Sequence, residues 1–234
     1  MATLSKIIVS SLLGFLFLSC TFNGNFGTGV SGNGTVITEQ RNASESFHSV
    51  HASSGLDVYI TQSETESIAV QADENLHDLI VTELNDGILT ITTSKNIGSA
   101  SAKKVLLNVT NLKQIKATSG SDIFSTNTIV ADYLDVSATS GADVQLSIEA
   151  NHVASNATSG SDISLSGTTK ILITNASSGA DIKAKDLVAD QVNAKASSGS
   201  DITVWVNTEL NASASSGGDI KYYGNPTTLS VSEN

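Results

Sequence analysis

The 234-residue sequence has one Cys, one Pro, one Met and one Trp, with aromatic residues at 5% and charged residues at 15%. A single thiol excludes an intrachain disulfide and any multi-thiol metal site. Arg41 is the only arginine, so no site can rest on several guanidinium groups. Basic residues number 12 against 23 acidic ones, a formal charge of −11, which argues against a nucleic-acid partner. With so few aromatics, the interior has to be built from small and β-branched side chains. Low charge favours order, whereas abundant Ser and Gly favour a flexible polar chain. Periodicity has to decide between them.

At the N-terminus, Ile7–Leu18 is apolar and preceded by Lys6. It falls short of the roughly 20 residues a bilayer-spanning helix needs and has the size of a signal-peptide core. Leu18-Ser19-Cys20 follows and resembles a bacterial lipobox, although Phe17 stands where lipoboxes usually carry Leu. That resemblance implies a signal peptide over 1–19 and lipid attachment at Cys20, where two acyl chains make a stable membrane anchor. The alternative is an ordinary signal peptide with an incidental cysteine. Residues 20–44, rich in Gly and Asn, read as the lipidated Cys and a flexible tether. The expected location is the cell envelope, as an outer-membrane lipoprotein facing either the periplasm or the cell surface.

The remainder is organised by a repeat. One motif recurs seven times, from Ala52-Ser-Ser-Gly55-Leu-Asp57-Val58 to Ala214-Ser-Ser-Gly217-Gly-Asp219-Ile220. Its glycines are separated by 65, 21, 19, 19, 20 and 18 residues. Around each glycine apolar residues alternate with period two, as strands require, and Val or Ile always stands three positions after it. The Ala three before and the Ser one before the glycine share that inward parity. A period near 20, two strand-like stretches per unit and no helical pattern predict an all-β parallel β-solenoid. A β-sandwich of hairpins is the rival, but hairpins rarely repeat one motif at near-constant spacing. Residues 45–105 read as an irregular β segment with a short helix over Glu74–Val81, residues 106–226 as regular rungs, and 227–234 as a tail.

The layout Phe47, Val50, Gly55-Leu-Asp57-Val-Tyr-Ile60, Asn75-Leu, Gly87-Ile-Leu-Thr-Ile91, stacked Ser-Gly-x-Asp units and Ile220-Lys-Tyr-Tyr-Gly224-Asn-Pro226 resembles the head GIN domain family of auto-transporter adhesins, found mainly in Bacteroidota. The resemblance covers Phe47 to Pro226 and implies a right-handed β-helix-like fold. It supplies no catalytic or binding residues to carry over.

Stacked rungs would align Asp122, Asp143, Asp162, Asp181, Asp201 and Asp219 into a carboxylate ladder facing solvent. Such a ladder could bind divalent cations. The plainer reading is that each Asp accepts hydrogen bonds from neighbouring hydroxyls and turn amides. Trp205, Tyr222 and Tyr223 fall in the last rungs, where aromatics cap a solenoid core or stack on sugar rings. No copy of the motif departs from the pattern to make a unique catalytic site, and no catalytic residue, metal site or cofactor is expected. The sequence therefore reads as a non-enzymatic envelope lipoprotein, an adhesin or scaffold with polysaccharide or an envelope protein as partner. The alternatives are a glycan-active β-helix enzyme, either lyase or hydrolase, and a cation-dependent assembly module. Oligomeric state is left open by the sequence.

Overall fold

The computed structural model describes residues 29–43 and 45–233. Cys20 and the signal segment lie outside the described residues. In chain order the strands are β1 (Val36–Arg41), β2 (Ser49–Ala52), β3 (Asp57–Gln62), β4 (Ser67–Asp73), β5 (Ile80–Asn85), β6 (Ile88–Thr93), β7 (Lys103–Val109), β8 (Gln114–Thr118), β9 (Asp122–Thr139), β10 (Asp143–Thr158), β11 (Asp162–Ser177), β12 (Asp181–Ser197), β13 (Asp201–Ser215), β14 (Asp219–Gly224) and β15 (Thr228–Glu233). They form a β-solenoid of about six turns, as the repeat predicts.

Each long strand from β9 to β13 bends midway and contributes to two facing walls. The first wall runs β1-β4-β7-β3-β9-β10-β11-β12-β13-β14. The second runs β5-β6-β2-β8-β9 and onward through the second halves to β13 and β15. Pairing from β9 to β14 is parallel and keeps motif positions level, so Val58, Ile123, Val144, Ile163, Ile182, Ile202 and Ile220 form one inward column. Neighbouring strands lie about 4.8 Å apart, so identical β-branched side chains pack on one another along the axis. Opposite them Ala117, Ala138, Ala157, Ala176 and Ala196 are buried, and these small residues let the two walls approach closely.

The corner between rungs is where the motif's Ser-Gly pair earns its place. In all seven copies the Ser before the Gly and the Gly itself both take positive φ, as in Ser159 (58°) and Gly160 (68°). Two consecutive left-handed residues reverse the chain tightly. A non-glycine residue there costs roughly 1–2 kcal/mol. Stacking offsets that cost, because the Gly160 amide donates to the Ser178 carbonyl at 3.2 Å and the Asp162 amide to the Ala142 carbonyl at 3.1 Å. The same bonds recur from rung to rung. The reversal also breaks the period-two parity. The Ser before the Gly is exposed rather than inward, and the residue after the Gly (Leu56, Ser121, Ala142, Ser161, Ala180, Ser200) is buried in its place. Where that residue is Ser, its hydroxyl donates to a carbonyl of a neighbouring rung, as Ser161 does to Ala138 at 2.9 Å.

The 65-residue step between the first two glycines is an excursion within the same column. Asp57 pairs with Asp122 and Val58 with Ile123, so the first copy of the motif stacks directly on the second. After β3 the chain leaves as β4, antiparallel to β7, crosses to the second wall as the β5–β6 hairpin, and returns as β7 and β8. Glu74–Val81, expected as a short helix, holds only a 3-10 turn over Glu74–Leu76, and Ile80 already belongs to β5. A helix of eight residues is marginal by itself. The register Ile80↔Thr93 to Asn85↔Ile88, closed by Asp86-Gly87 at positive φ, outweighs its propensity.

The N-terminal end is closed by β1 laid antiparallel on β4 and by the loop before β7. Buried Asp73 ties these pieces together by accepting from the amides of Gly34 (2.6 Å), Ser101 (2.7 Å) and Ala102 (3.0 Å). The Ala102 amide foremost holds its carboxyl below the ordinary value, against the opposing pull of burial, with Gly34 and Ser101 assisting. A depressed carboxylate stabilises the fold above its unfolded pKa, and that contribution is lost as pH falls through the folded value. Asp73→Ala is therefore expected to abolish hydrogen-exchange protection of the Gly34, Ser101 and Ala102 amides at neutral pH. The wild type should keep that protection through the ordinary aspartate range and lose it only at still lower pH. Unchanged protection in the variant would remove Asp73 as the tie.

Candidate functional site

The described surface is dominated by columns, because parallel in-register stacking repeats every outward position. The most acidic column places Asp57, Asp122, Asp143, Asp162, Asp181, Asp201 and Asp219 on successive rungs beside the Ser-Gly corner. All six aspartates singled out in the sequence lie in it, partly or fully exposed, opposite the buried Val/Ile column. Asp57 adds a seventh and pairs with Lys104, which closes the line at the N-terminal side. Lys183 sits in the next outward column, 3.1 Å from Asp162 and 3.9 Å from Asp181.

Without a cation between them, neighbouring carboxylates repel. Burial foremost, then the charges of Asp143 and Asp57, raise the Asp122 pKa, against smaller lowering contributions from Lys103 and the Asp143 amide. A raised carboxyl destabilises the fold once both states are ionised, and the penalty fades as pH falls through the folded pKa toward the unfolded one. Like charges directly opposite across strands cost up to about 1 kcal/mol. Asp122→Asn should therefore raise the melting temperature at pH 7 by roughly 2–4 °C. The gain should vanish near pH 3, and an equal gain at both pH values would show that charge is not the cause.

The ladder is a line with one carboxylate per rung. Among the described residues no group of three or more His, Cys, Asp or Glu comes together in a way that could hold a metal ion.

Aromatic side chains gather at both ends of the same wall. Tyr59 stacks on Phe124 with ring centres 5.2 Å apart, and the Lys104 ammonium lies 5.4 Å from the Tyr59 ring. At the C-terminal end Trp205 and Tyr223 are nearly parallel, 8° apart with centres at 6.4 Å, and the Lys185 ammonium lies 4.6 Å from the Tyr223 ring. Trp205 is fixed by donating to Asn207 Oδ1 at 3.3 Å, and Asn207 donates to Asp190 Oδ1 at 3.2 Å. The alternation sorts the three late aromatics. Trp205 and Tyr223 point out, while Tyr222 takes the inward place above Val204 and is still 44% exposed because, among the described residues, nothing stacks on β14.

Lys185 and the far corner are not visible in the repeat. Lys185 lies in an irregularity where Ala184 to Val188 of β12 face only Val204 to Trp205 of β13. Such bulges absorb the changes in repeat length and re-aim side chains outward. The same corner carries a shallow groove of about 440 Å³ along the axis, lined by residues that include Glu149, Asn151, Lys170 and Asp190. Insertions scramble the period there, so the spacing that reveals the Asp column hides this one.

These features can be set beside known proteins. No curated relative matches the chain. Crystal structures of putative adhesins from Bacteroides fragilis (TM-score 0.82, 23% identity, 88% of this chain and 96% of that one) and Parabacteroides merdae (0.72, 21%, 88% and 98%) share the fold. So does a putative lipid binding protein from Parabacteroides distasonis (0.70, 20%, 88% and 99%). The family model described as "Putative auto-transporter adhesin, head GIN domain" matches residues 46–226, and with more than half its length inside that match the chain belongs to the head GIN domain family.

Proposed function

We propose that this protein is a non-enzymatic adhesin of the cell envelope, anchored by lipid at Cys20, that engages extended polysaccharide along its first wall. The Trp205–Tyr223 pair beside Lys185 carries this reading. Trp205 and Tyr223 set two near-parallel aromatic rings at the end of the wall, and a sugar face can stack on such a ring. The adjacent Asp201, Asp219 and Lys221 line a small cleft of about 130 Å³ with donors and acceptors for hydroxyl groups. The columns repeat this polar surface every ~4.8 Å, which suits a long, repetitive ligand better than a compact substrate. Family membership supports the adhesin class, and the regularity of the Asp column favours binding over catalysis.

The test is a glycan array probed with the chain lacking its lipid, followed by titration of the hits against Trp205→Ala. Loss of a stacked ring should weaken binding roughly tenfold. Binding unaffected by that change, or no bound glycan, would count against the reading. Labelled fatty acid should enter the wild type and not Cys20→Ala, which should leave the membrane fraction. A Cys20→Ala chain that stays there would refute the anchor.

A further inference from the structure

The two ends of the solenoid differ. At the N-terminal end the outermost strands are β1 and β5, each paired on one side only, but the core side chains beneath them, Ile68, Val70, Leu89 and Ile91, are buried. At the C-terminal end β14 and β15 pair only inward, with β13, and their outer backbone edges have no partner among the described residues. Between them lies an open cavity of about 550 Å³ lined by Ala212, Ala214, Ile220, Tyr222 and Val231 among others. Side chains that occupy core columns in every earlier rung stand uncovered here, Leu229 at 50% and Val231 at 53% exposure. Free strand edges beside apolar surface invite another strand.

We infer that this end is a self-association surface whose occupant is the same end of a second copy, joined tail to tail about a two-fold axis. The charge pattern of β14 favours a second copy. Its outward residues are Asp219, Lys221 and Tyr223, and its inward ones Ile220 and Tyr222. An antiparallel β14–β14 pairing that keeps in-out parity and sets Ile220 against its counterpart puts each Asp219 opposite Lys221 of the other copy. Opposite charges directly across strands are stabilising. β15, beside it on the second wall, brings Val231 toward the same contact. A two-fold contact uses the same surface on both copies, so this contact closes at two.

Size sets the strength. Strands of six residues span about 20 Å, and two walls packed about 10 Å apart give an end face of roughly 200 Å². The total near 400 Å² lies well below the standard interface range, so a weak, concentration-dependent dimer is expected.

Sedimentation equilibrium of the full chain without its lipid, from about 5 to 500 μM, tests this. The weight-average mass should climb from monomer toward dimer. Val231→Lys and Lys221→Asp should each hold it at monomer without lowering the melting temperature. The double exchange Asp219→Lys with Lys221→Asp should restore the dimer, because it recreates complementarity with the signs reversed. A mass that stays at monomer throughout, or a dimer indifferent to Val231→Lys, overturns the proposal. A wild-type monomer that takes up a fatty acid at this end overturns it in favour of an apolar ligand.

Discussion

Replacing Gly167 by Ala is expected to lower the melting temperature by roughly 6–12 °C, corresponding to about 3 kcal/mol or more. Gly167 lies in β11 at φ +111°, and an added Cβ would run into the carbonyl oxygen and backbone of Ile148 in the rung before. Two costs combine. An L side chain at that φ is strained, and relief requires β10 and β11 to separate where they are bonded. In a solenoid each rung is supported only by its neighbours, so a weakened junction divides the array. Two transitions are therefore expected by circular dichroism, one for the rungs before the break and one for those after. Gly160→Ala is the control. Its φ is also positive at 68°, but a Cβ there meets nothing within 4 Å, so only the backbone cost of about 1–2 kcal/mol should appear. If the two variants melt together, close approach of the rungs is not what requires Gly167.

Ile123→Ala should cost about 2–5 kcal/mol, a fall of the order of 10 °C. Ile123 is fully buried between Val58 and Val144, at the junction where the excursion rejoins the repeating column. Truncation opens a cavity whose walls are fixed by strand register on both sides and cannot easily collapse. Ile123→Val should cost only about 0.5–1.5 kcal/mol, because both neighbours in the column are already Val. Ile220 is stacked on one side only among the described residues, so Ile220→Ala should lose distinctly less. Equal losses at 123 and 220 would contradict the stacked-column account.

How much of this was readable beforehand follows from the physics of each part. The inward Val/Ile column and the outward Asp column were legible because strands alternate with period two and the motif carries its own phase mark at Gly. Beside the turn the parity failed, because paired left-handed residues at Ser-Gly move the inward place from the Ser before the Gly to the residue after it. The stacking of Asp57 on Asp122 was illegible, since a 65-residue separation carries no sign of adjacency. The candidate glycan platform was half legible. Trp205 stood out as the only Trp, but Lys185 reaches the Tyr223 ring from a bulge that no period predicts.

The sequence by itself determined the repeating rung, its two walls and the line of aspartates, because those follow from local alternation and a recurring turn. Only the tertiary structure decided how rungs of unequal length are reconciled at the far corner, how the first copy of the motif is inserted into the column, and which end stays open. Those depend on which distant edges find partners, and an edge left unpaired is a property of the whole assembly of strands.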